Sequence, residues 1–367
     1  MRNSGLYIHI PFCRTKCVYC DFYSITDTDL IDAWLGALER EAAQYCRAFP
    51  LFDSIYLGGG TPSLLDGQAL TRLFEGLRRC FTFSSDAEIT MEANPDDVTQ
   101  PGLSLLASLG VNRLSLGVQS FDDRDLAFLR RRHDADRAAR ALGAAKDAGF
   151  TNIGLDLIYG LPGQTRRAWT ATLERALSFR PTHLACYQLT VEGHTPLAAM
   201  AQKGAIRLPN DERTRSLFLA TSKLLEASGF IHYEVSNFAA SERFFCRHND
   251  KYWIGAPYLG LGPAAHSFDG SRRWWNHRSI AAYCGALKEG KKPIEEAEVL
   301  SPEQLALERC YLGLRTNRGI GLEELPESAT PVVRQLCKAR LARLKGGRVI
   351  LSNHGLLIAD SLPALLL

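Results

Sequence analysis

The sequence predicts an α/β fold in which parallel strands alternate with helices, followed by a small appended unit. In the first half of the 367 residues, six strand-like runs are each followed by a helix-like run, which is typical of a parallel sheet with helical crossovers. Polar residues stand at the carboxyl ends of several of these strands. This placement favours a barrel, whose functional residues gather at that rim, over an open doubly wound sheet.

Apolar and β-branched runs predict the strands, and apolar residues repeating every three or four positions predict the helices. The six predicted strands cover residues 6–11, 54–57, 88–92, 113–119, 152–159 and 183–191. The predicted helices that follow them cover residues 29–47, 68–80, 101–109, 123–131, 135–148 and 167–179. The two helices predicted at 123–131 and 135–148 share one connection, and the sixth strand is followed by a helix predicted at 212–228, so the pattern is six β-then-α units.

The pattern changes after about residue 192. A predicted helix at 212–228 precedes a strand-like run at 231–238 and then an irregular stretch, rich in Gly and aromatic residues, that reaches about residue 277. Predicted helices at 302–314 and 332–344, a turn at Gly346 and Gly347, a strand at 349–351 and an apolar tail at 356–367 indicate a winged-helix-like α+β module. We therefore predict three domains: a barrel core at 1–192, a barrel extension at 193–290 and a C-terminal domain at 291–367.

The composition is that of a globular protein with a sizeable core, since 46% of the residues are hydrophobic and 23% are charged. A net charge of +3 is too small to indicate a polyanionic partner, and no nucleic acid is expected. No apolar run is long enough to cross a bilayer, and the first residues do not form a signal peptide. The sequence therefore predicts a cytoplasmic protein, with peripheral membrane contact left open.

Three cysteines near the start, Cys13, Cys17 and Cys20, have the spacing C-x3-C-x2-C. With ten Cys in the chain, that spacing is expected by chance only about 0.007 times. Structural zinc sites and clusters held by protein alone use four ligands, so a site with three leaves one metal position open to a ligand that is not protein. Three buried thiols or a zinc site with a distant fourth ligand are the alternatives, and a cubane cluster with one open iron is favoured.

Several polar or flexible groups fall at the predicted rim: the glycine run at 58–62, Glu92, Gln119, Arg131 and Asp156. Taken alone, the glycine run is explained equally well as a tight turn, and for each of the other residues a solvated position at a strand end is the better explanation. Asp156 is the sharpest case, because it interrupts a strand that is otherwise apolar. An open iron can be chelated by an amine and a carboxylate. S-adenosylmethionine (AdoMet) carries both groups, and the combined placement of these residues predicts its binding at the rim.

A second unusual run, residues 246–253, combines Cys246 and His248 with Tyr252 and Trp253. Heme iron takes His or Cys as axial ligand, and aromatic side chains stack on the macrocycle, so this run is a candidate heme site. The sequence alone favours a surface loop that is anchored to the core by its two aromatic residues.

The cysteine motif with the preceding Tyr7 and the run Gly58-Gly59-Gly60-Thr61-Pro62 resembles the radical-SAM superfamily, in particular its oxygen-independent coproporphyrinogen oxidase-like branch. Further matches are residues 117–121 and 156–162, and the resemblance covers almost the whole chain. It implies a partial (β/α)6 radical-SAM barrel with a small C-terminal domain, and a [4Fe-4S] cluster on Cys13, Cys17 and Cys20. The resemblance also implies a set of cofactor-binding residues: Tyr7, Tyr19, Gly59, Gly60, Thr61, Glu92, Gln119, Arg131 and Asp156.

Two groups within that branch compete. The coproporphyrinogen III dehydrogenases of porphyrin biosynthesis have a further Cys two residues after the third, where this chain has Phe22, and a longer arm before the cysteines. The heme chaperones resemble the chain better, because they have Cys-x-Phe and the run His-Asn-x-x-Tyr-Trp, found here at 248–253. The resemblance thus implies a chaperone that binds heme through His248, Tyr252 and Trp253 and passes it to apo-hemoproteins. No catalytic residue is assigned, a homodimer is left open, and the dehydrogenase is the alternative.

Overall fold

The computed structural model describes residues 3–49 and 51–367. Its strands are β1 (Ser4–Ile10), β2 (Leu51–Gly59), β3 (Thr82–Ala93), β4 (Arg113–Gln119), β5 (Ile153–Tyr159), β6 (His183–Gln188), β7 (Ile231–Glu234), β8 (Asn237–Ala239), β9 (Tyr258–Leu261), β10 (His266–Phe268), β11 (Arg272–Asn276), β12 (Ile294–Val299), β13 (Ile320–Gly321), β14 (Ala342–Lys345) and β15 (Arg348–Leu351). Its α-helices are α1 (Ile31–Tyr45), α2 (Gly67–Cys80), α3 (Gln100–Ser108), α4 (Asp123–Phe128), α5 (Ala135–Asp147), α6 (Arg166–Ser178), α7 (Pro196–Gln202), α8 (Asp211–Ala227), α9 (Arg247–Trp253), α10 (Ile280–Lys288), α11 (Pro302–Leu314), α12 (Thr330–Lys338), α13 (Asn353–Leu356) and α14 (Pro363–Leu366).

The main sheet is built on six consecutive parallel strands. In the described chain its order is β12-β11-β10-β9-β1-β2-β3-β4-β5-β6-β8-β7, and each neighbouring pair from β1 to β6 is parallel. Helices connect these strands, as the alternating pattern requires. The predicted α/β fold with a partial six-stranded barrel is therefore confirmed.

The region after β6 is more regular than the sequence indicates. The predicted strand at 231–238 is a hairpin of β7 and β8, and the stretch that we expected to be irregular contains α9 and β9–β11. The sequence-only interpretation of residues 246–253 as a surface loop is therefore wrong. Strand β9 pairs in parallel with β1 and extends the sheet beyond the six predicted strands. Its four residues include Gly260, so neither its length nor its alternation marks it as a strand in the sequence.

The C-terminal part has its own small sheet, in the order β13-β15-β14, and its own apolar core. Residues of α11, α12 and β15 fill that core, among them Leu314, Val333 and Val349. The predicted helix at 332–344 ends at Lys338, because Arg340 adopts a left-handed backbone conformation with φ of 58° and the chain then enters β14. These elements confirm a small α+β C-terminal domain, while the exact domain boundaries stay predictions.

The two faces of the parallel sheet differ in polarity. On β1, Leu6, Ile8 and Ile10 are fully buried in the main apolar core, which also contains Trp34 of α1. The alternate residues of the parallel strands point into the barrel, and many of them are polar. The inside of the barrel is thus partly polar, and the outside is packed against helices. Across residues 3–49 and 51–367, no helix combines the length and hydropathy of a membrane-spanning segment.

Candidate cofactor site at the barrel rim

The cysteine loop is fixed at its base beside the glycine run. The Cys13 N–H donates to the Ile25 carbonyl over 2.9 Å, and the Ile25 N–H donates to the Pro11 carbonyl over 2.7 Å, which closes the loop directly after β1. The Thr61 N–H donates to the Phe12 carbonyl over 2.8 Å. These backbone bonds place the loop and the end of β2 side by side at the carboxyl end of the barrel.

Two hydrogen-bond donors face the cysteine sulfurs. The Thr61 hydroxyl lies 3.3 Å from Cys13 Sγ, and Arg131 Nη1 lies 3.5 Å from Cys17 Sγ. All three cysteines are free and partly exposed, and burial raises the pKa of Cys20 to about 11. Hydrogen bonds to sulfur are among the interactions by which a protein tunes iron–sulfur clusters, so these two donors are suitably placed beside a cluster ligand set.

No three His, Cys, Asp or Glu side chains of the described residues converge closely enough to hold one metal ion. In a cubane cluster the thiolates bind separate iron atoms at different corners, so this kind of site does not need such convergence. A short loop with three accessible thiols fits a cluster as its ligand set.

The glycine run lets the end of β2 pass close to two neighbouring side chains. Gly59 has φ of +105°, and a Cβ there would lie 2.7 Å from the His9 ring. A Cβ at Gly58 would lie 3.1 Å from the Glu92 carboxyl group. Glu92 accepts a hydrogen bond from the Tyr56 hydroxyl over 2.8 Å. The absence of side chains on the run therefore leaves the Glu92 carboxyl group next to exposed backbone, as a cradle for a small polar ligand requires.

Two carboxyl groups inside the barrel hold their protons more tightly than usual. Burial, and after it the nearby Asp156, raise the pKa of Glu92 to about 7. Burial also raises the pKa of Asp156 to about 6, against the lowering effect of the Ser115 hydroxyl, which donates to it over 3.1 Å. A cationic ligand between them would favour both charged forms.

Arg131 joins the cysteine loop to β4. Its Nη2 donates to the Gly117 carbonyl over 2.7 Å, and its Nε is buried without a hydrogen-bond partner among the described residues. Gln119, at the end of β4, has a left-handed backbone with φ of 67°, and its side chain lies beside Gly117. A non-glycine residue rarely takes this conformation, and such residues cluster at ligand sites.

The predicted AdoMet residues therefore meet at one rim. Tyr7 lies inside the barrel, with its hydroxyl 3.3 Å from His9 Nδ1. Tyr19, on the cysteine loop, packs against an apolar cluster that contains Leu129 and Leu161 and lies close to Cys17 and Arg131. The Nε of Arg131, which has no hydrogen-bond partner among the described residues, the glycine cradle and the two buried carboxyl groups fit a small zwitterionic or cationic ligand next to a cluster.

The predicted heme residues lie elsewhere, on α9 behind the rim. His248 is buried, and its ring stacks on Tyr7 at 6.1 Å between centroids. Its Nδ1 lies 3.4 Å from the Ser54 hydroxyl and its Nε2 lies 2.9 Å from the Tyr252 hydroxyl. Burial lowers the pKa of His248 to about 3, so the ring is neutral. Both ring nitrogens are thus occupied by protein partners.

Helix α9 is packed tightly against β1. A Cβ on Gly5 would lie 2.7 Å from Lys251 and 2.9 Å from His248, so only glycine allows this approach. Lys251 is buried, pairs with Asp53 and donates to the Asn3 carbonyl over 2.8 Å. We call residues 246–253 and the side chains that they touch the barrel floor. The role of His248, Tyr252 and Trp253 in heme binding stays a prediction.

Sequence reasoning missed several residues that line the barrel: His9, Tyr56, Arg113 and Ser115. Each stands two positions from another inward-facing residue, as Ser115 does between Arg113 and Gly117. This period of two was the available signal, since alternate residues of a strand share a face. The alternation is visible in β4, whereas in β1 and β2 the inward-facing Tyr7 and Tyr56 make the strands look continuously apolar.

Comparisons with known proteins agree with this geometry. The sequence pattern of the Radical SAM superfamily matches residues 7–176. A Mycobacterium tuberculosis (strain ATCC 25618 / H37Rv) protein named "Heme chaperone HemW" is 36% identical, over 99% of this chain and 94% of that protein. A Bacillus subtilis (strain 168) protein of the same name is 34% identical over 96% of each chain.

Among solved structures, coproporphyrinogen III oxidase (HemN) from Escherichia coli, described as a Radical SAM enzyme, superposes with a TM-score of 0.85. It is 26% identical, over 99% of this chain and 90% of that chain. The family pattern, the extent of the sequence identity and this shared fold lead to one assignment. The chain belongs to the Radical SAM superfamily and, within it, to the family of proteins named heme chaperone HemW.

Proposed function

We propose that this protein is a heme chaperone that binds heme and transfers it to partner apo-hemoproteins in the cytoplasm. The observation that carries the proposal is the similarity over nearly the full length to relatives that bear this name. Phe22 supports it, since this residue stands two positions after the third cysteine and is 66% exposed. A further thiol at that position is the feature that the resemblance associates with the dehydrogenase.

The cofactors proposed for this function are a [4Fe-4S] cluster and AdoMet. Cys13, Cys17 and Cys20 would hold the cluster, and Thr61 and Arg131 would stabilise the sulfurs through the contacts described above. The chemistry that such a pair supplies is radical generation by reductive cleavage of the sulfonium bond. The protein's part would be to position AdoMet and limit its exposure to water. We assign this role to residues of the rim: Tyr7, Gly59, Gly60, Thr61, Glu92, Gln119 and Asp156.

Hemin titration followed by a transfer assay tests the proposal. Purified protein with a reconstituted cluster is expected to develop a Soret band at micromolar hemin and to pass heme to an apo-hemoprotein, which gains its own spectrum. Absence of a Soret band in protein whose iron content is complete would overturn the proposal.

The second candidate function is coproporphyrinogen III dehydrogenase, and the TM-score of 0.85 with the Escherichia coli HemN structure favours it. The discriminating experiment is anaerobic incubation with AdoMet, a reductant and coproporphyrinogen III. The chaperone proposal expects no protoporphyrinogen, whereas its formation in stoichiometric excess over protein would establish the enzyme.

A further inference from the structure

A cleft of about 280 Å³ lies between the extension of the sheet and α11 of the C-terminal domain. Its walls are largely aromatic and apolar. Tyr252 and Tyr258 meet edge to face with ring centroids 4.7 Å apart, and Phe268 lies 6.1 Å from Tyr258. Leu305 and Leu312 of α11 form the opposite side. A flat apolar molecule between these walls would contact rings on one side and aliphatic carbons on the other.

His266 supplies a free imidazole to this cleft. It is exposed, lines the cleft at the start of β10, and stacks on Trp275 with ring centroids 5.5 Å apart. Within residues 3–49 and 51–367, its ring nitrogens have no hydrogen bond or ion pair. It differs in this respect from His248, whose two ring nitrogens are both occupied. A neutral imidazole that is oriented by stacking and not engaged by protein is available to bind a metal centre.

The cleft also carries positive charge at its edge. Arg273 is engaged by Glu308 over 2.8 and 2.9 Å, so its charge is already compensated. Arg309 lines the same cleft, its side chain is 54% exposed, and its only ion pair in the described chain is a 3.9 Å approach to Glu324. Arg309 is therefore the guanidinium that can turn to an incoming carboxylate.

We propose that this cleft is the heme-binding site and that His266 is the axial ligand of the heme iron, with Arg309 binding a propionate. The inference rests on the proposed chaperone function and assigns its site. Tyr252 keeps the contact with heme that the sequence predicted for it, as part of the aromatic wall. His248 does not contact heme in this arrangement and positions Tyr252 through the hydrogen bond to its hydroxyl.

The size of the cleft suits a carrier. Pockets that enclose a small ligand have about 300–1,000 Å³. This cleft, with about 280 Å³, is slightly smaller than that range and would hold only one part of the macrocycle. The rest of the porphyrin would stay exposed to a receiving protein. A single axial ligand and partial burial allow release, which complete enclosure would prevent.

Hemin titrations of four variants test the assignment. H266A is expected to lower heme affinity at least about tenfold and to shift the Soret band, because the iron loses its protein ligand. H266M is expected to restore binding with a different Soret position, since a thioether replaces the imidazole. R309E changes an exposed side chain and is expected to weaken binding about tenfold without moving the band. H354A, at an exposed histidine of α13, is the matched control and is expected to behave as wild type.

Two outcomes are distinguishable failures. If H266A and R309E bind heme with the affinity and spectrum of wild type, while wild type still transfers heme, the site assignment is overturned and the chaperone function stands. If wild type itself binds no heme, both the assignment and the proposed function are overturned.

Discussion

The rim and the floor of the barrel contain the same kinds of residue, but these residues differ in burial and in hydrogen bonding. At the rim, three partly exposed thiols lie on a loop beside the glycine run, and the Nε of Arg131 is buried with no hydrogen-bond partner among the described residues. At the floor, Cys246 and His248 are buried, and both ring nitrogens of His248 have protein partners. Residue type alone would mark both regions as ligand sites.

The difference shows that burial and hydrogen bonding, and not residue type alone, indicate whether a group can bind a ligand. Groups that are accessible and poorly paired have bonding capacity left for a ligand, whereas groups that are buried and paired have already used theirs within the fold. We therefore propose that AdoMet and the cluster bind at the rim and that the floor stabilises the rim. His248 also connects the two, because its ring stacks on Tyr7 on the side of the barrel that leads to the rim.

The largest effect that we expect comes from the rim cysteines. Replacing any one of Cys13, Cys17 or Cys20 by Ser is expected to abolish stable cluster assembly, since three thiolates are the minimum that holds the cluster with one open iron. Iron and sulfide analysis after anaerobic reconstitution measures cluster assembly directly. The broad visible absorption of the iron–sulfur cluster should be lost as well. The fold should survive, because all three side chains are partly exposed.

The matched control for these variants is C246S at the floor. It removes an equally conspicuous thiol, one that is fully buried on the floor. We expect full iron content in this variant and a lower unfolding midpoint. Loss of iron in C246S, or normal iron in the rim variants, would erase the distinction between the two regions.

Much of the fold and rim could be predicted, since parallel strands and the residues that follow them are encoded locally. The predicted bounds of β4 are the observed ones, and the spacing of the cysteines can be recognised in the sequence without any tertiary information. The floor could not be predicted in this way. That Lys251 and His248 pack against Gly5, which is more than 240 positions away in the chain, is a consequence of β9 joining β1, and no local pattern encodes such a pairing.

The second effect in size is on the floor. H248A is expected to lower the free energy of unfolding by about 2–4 kcal/mol, because it leaves a cavity and removes the partners of the Tyr252 and Ser54 hydroxyls. Urea unfolding, with the midpoint falling at an unchanged slope, measures it. The iron content should stay complete. A variant as stable as wild type that had lost only heme binding would instead make His248 a heme ligand.

The smallest effect concerns pH at the rim. Since the pKa of Glu92 is raised to about 7, its carboxyl group is mostly neutral at pH 6 and mostly charged at pH 8. The charged form attracts cationic AdoMet, so AdoMet affinity should rise roughly tenfold over this range. Calorimetric titration of cluster-loaded protein at several pH values measures the change. E92Q keeps the size of the side chain and should bind AdoMet weakly with little dependence on pH.

The same shift has the opposite sign for the stability of the ligand-free protein. The folded state holds the Glu92 proton more tightly than the unfolded state, where the pKa is near 4.5. Its favourable contribution is complete below that value and is lost as the pH rises through about 7. Rising pH should thus weaken the empty protein while it strengthens AdoMet binding, and E92Q should reduce both trends together. If E92Q left the pH dependence of AdoMet binding intact, Asp156 would be the carboxyl group that senses pH at the rim, with its pKa of about 6 and a midpoint correspondingly lower.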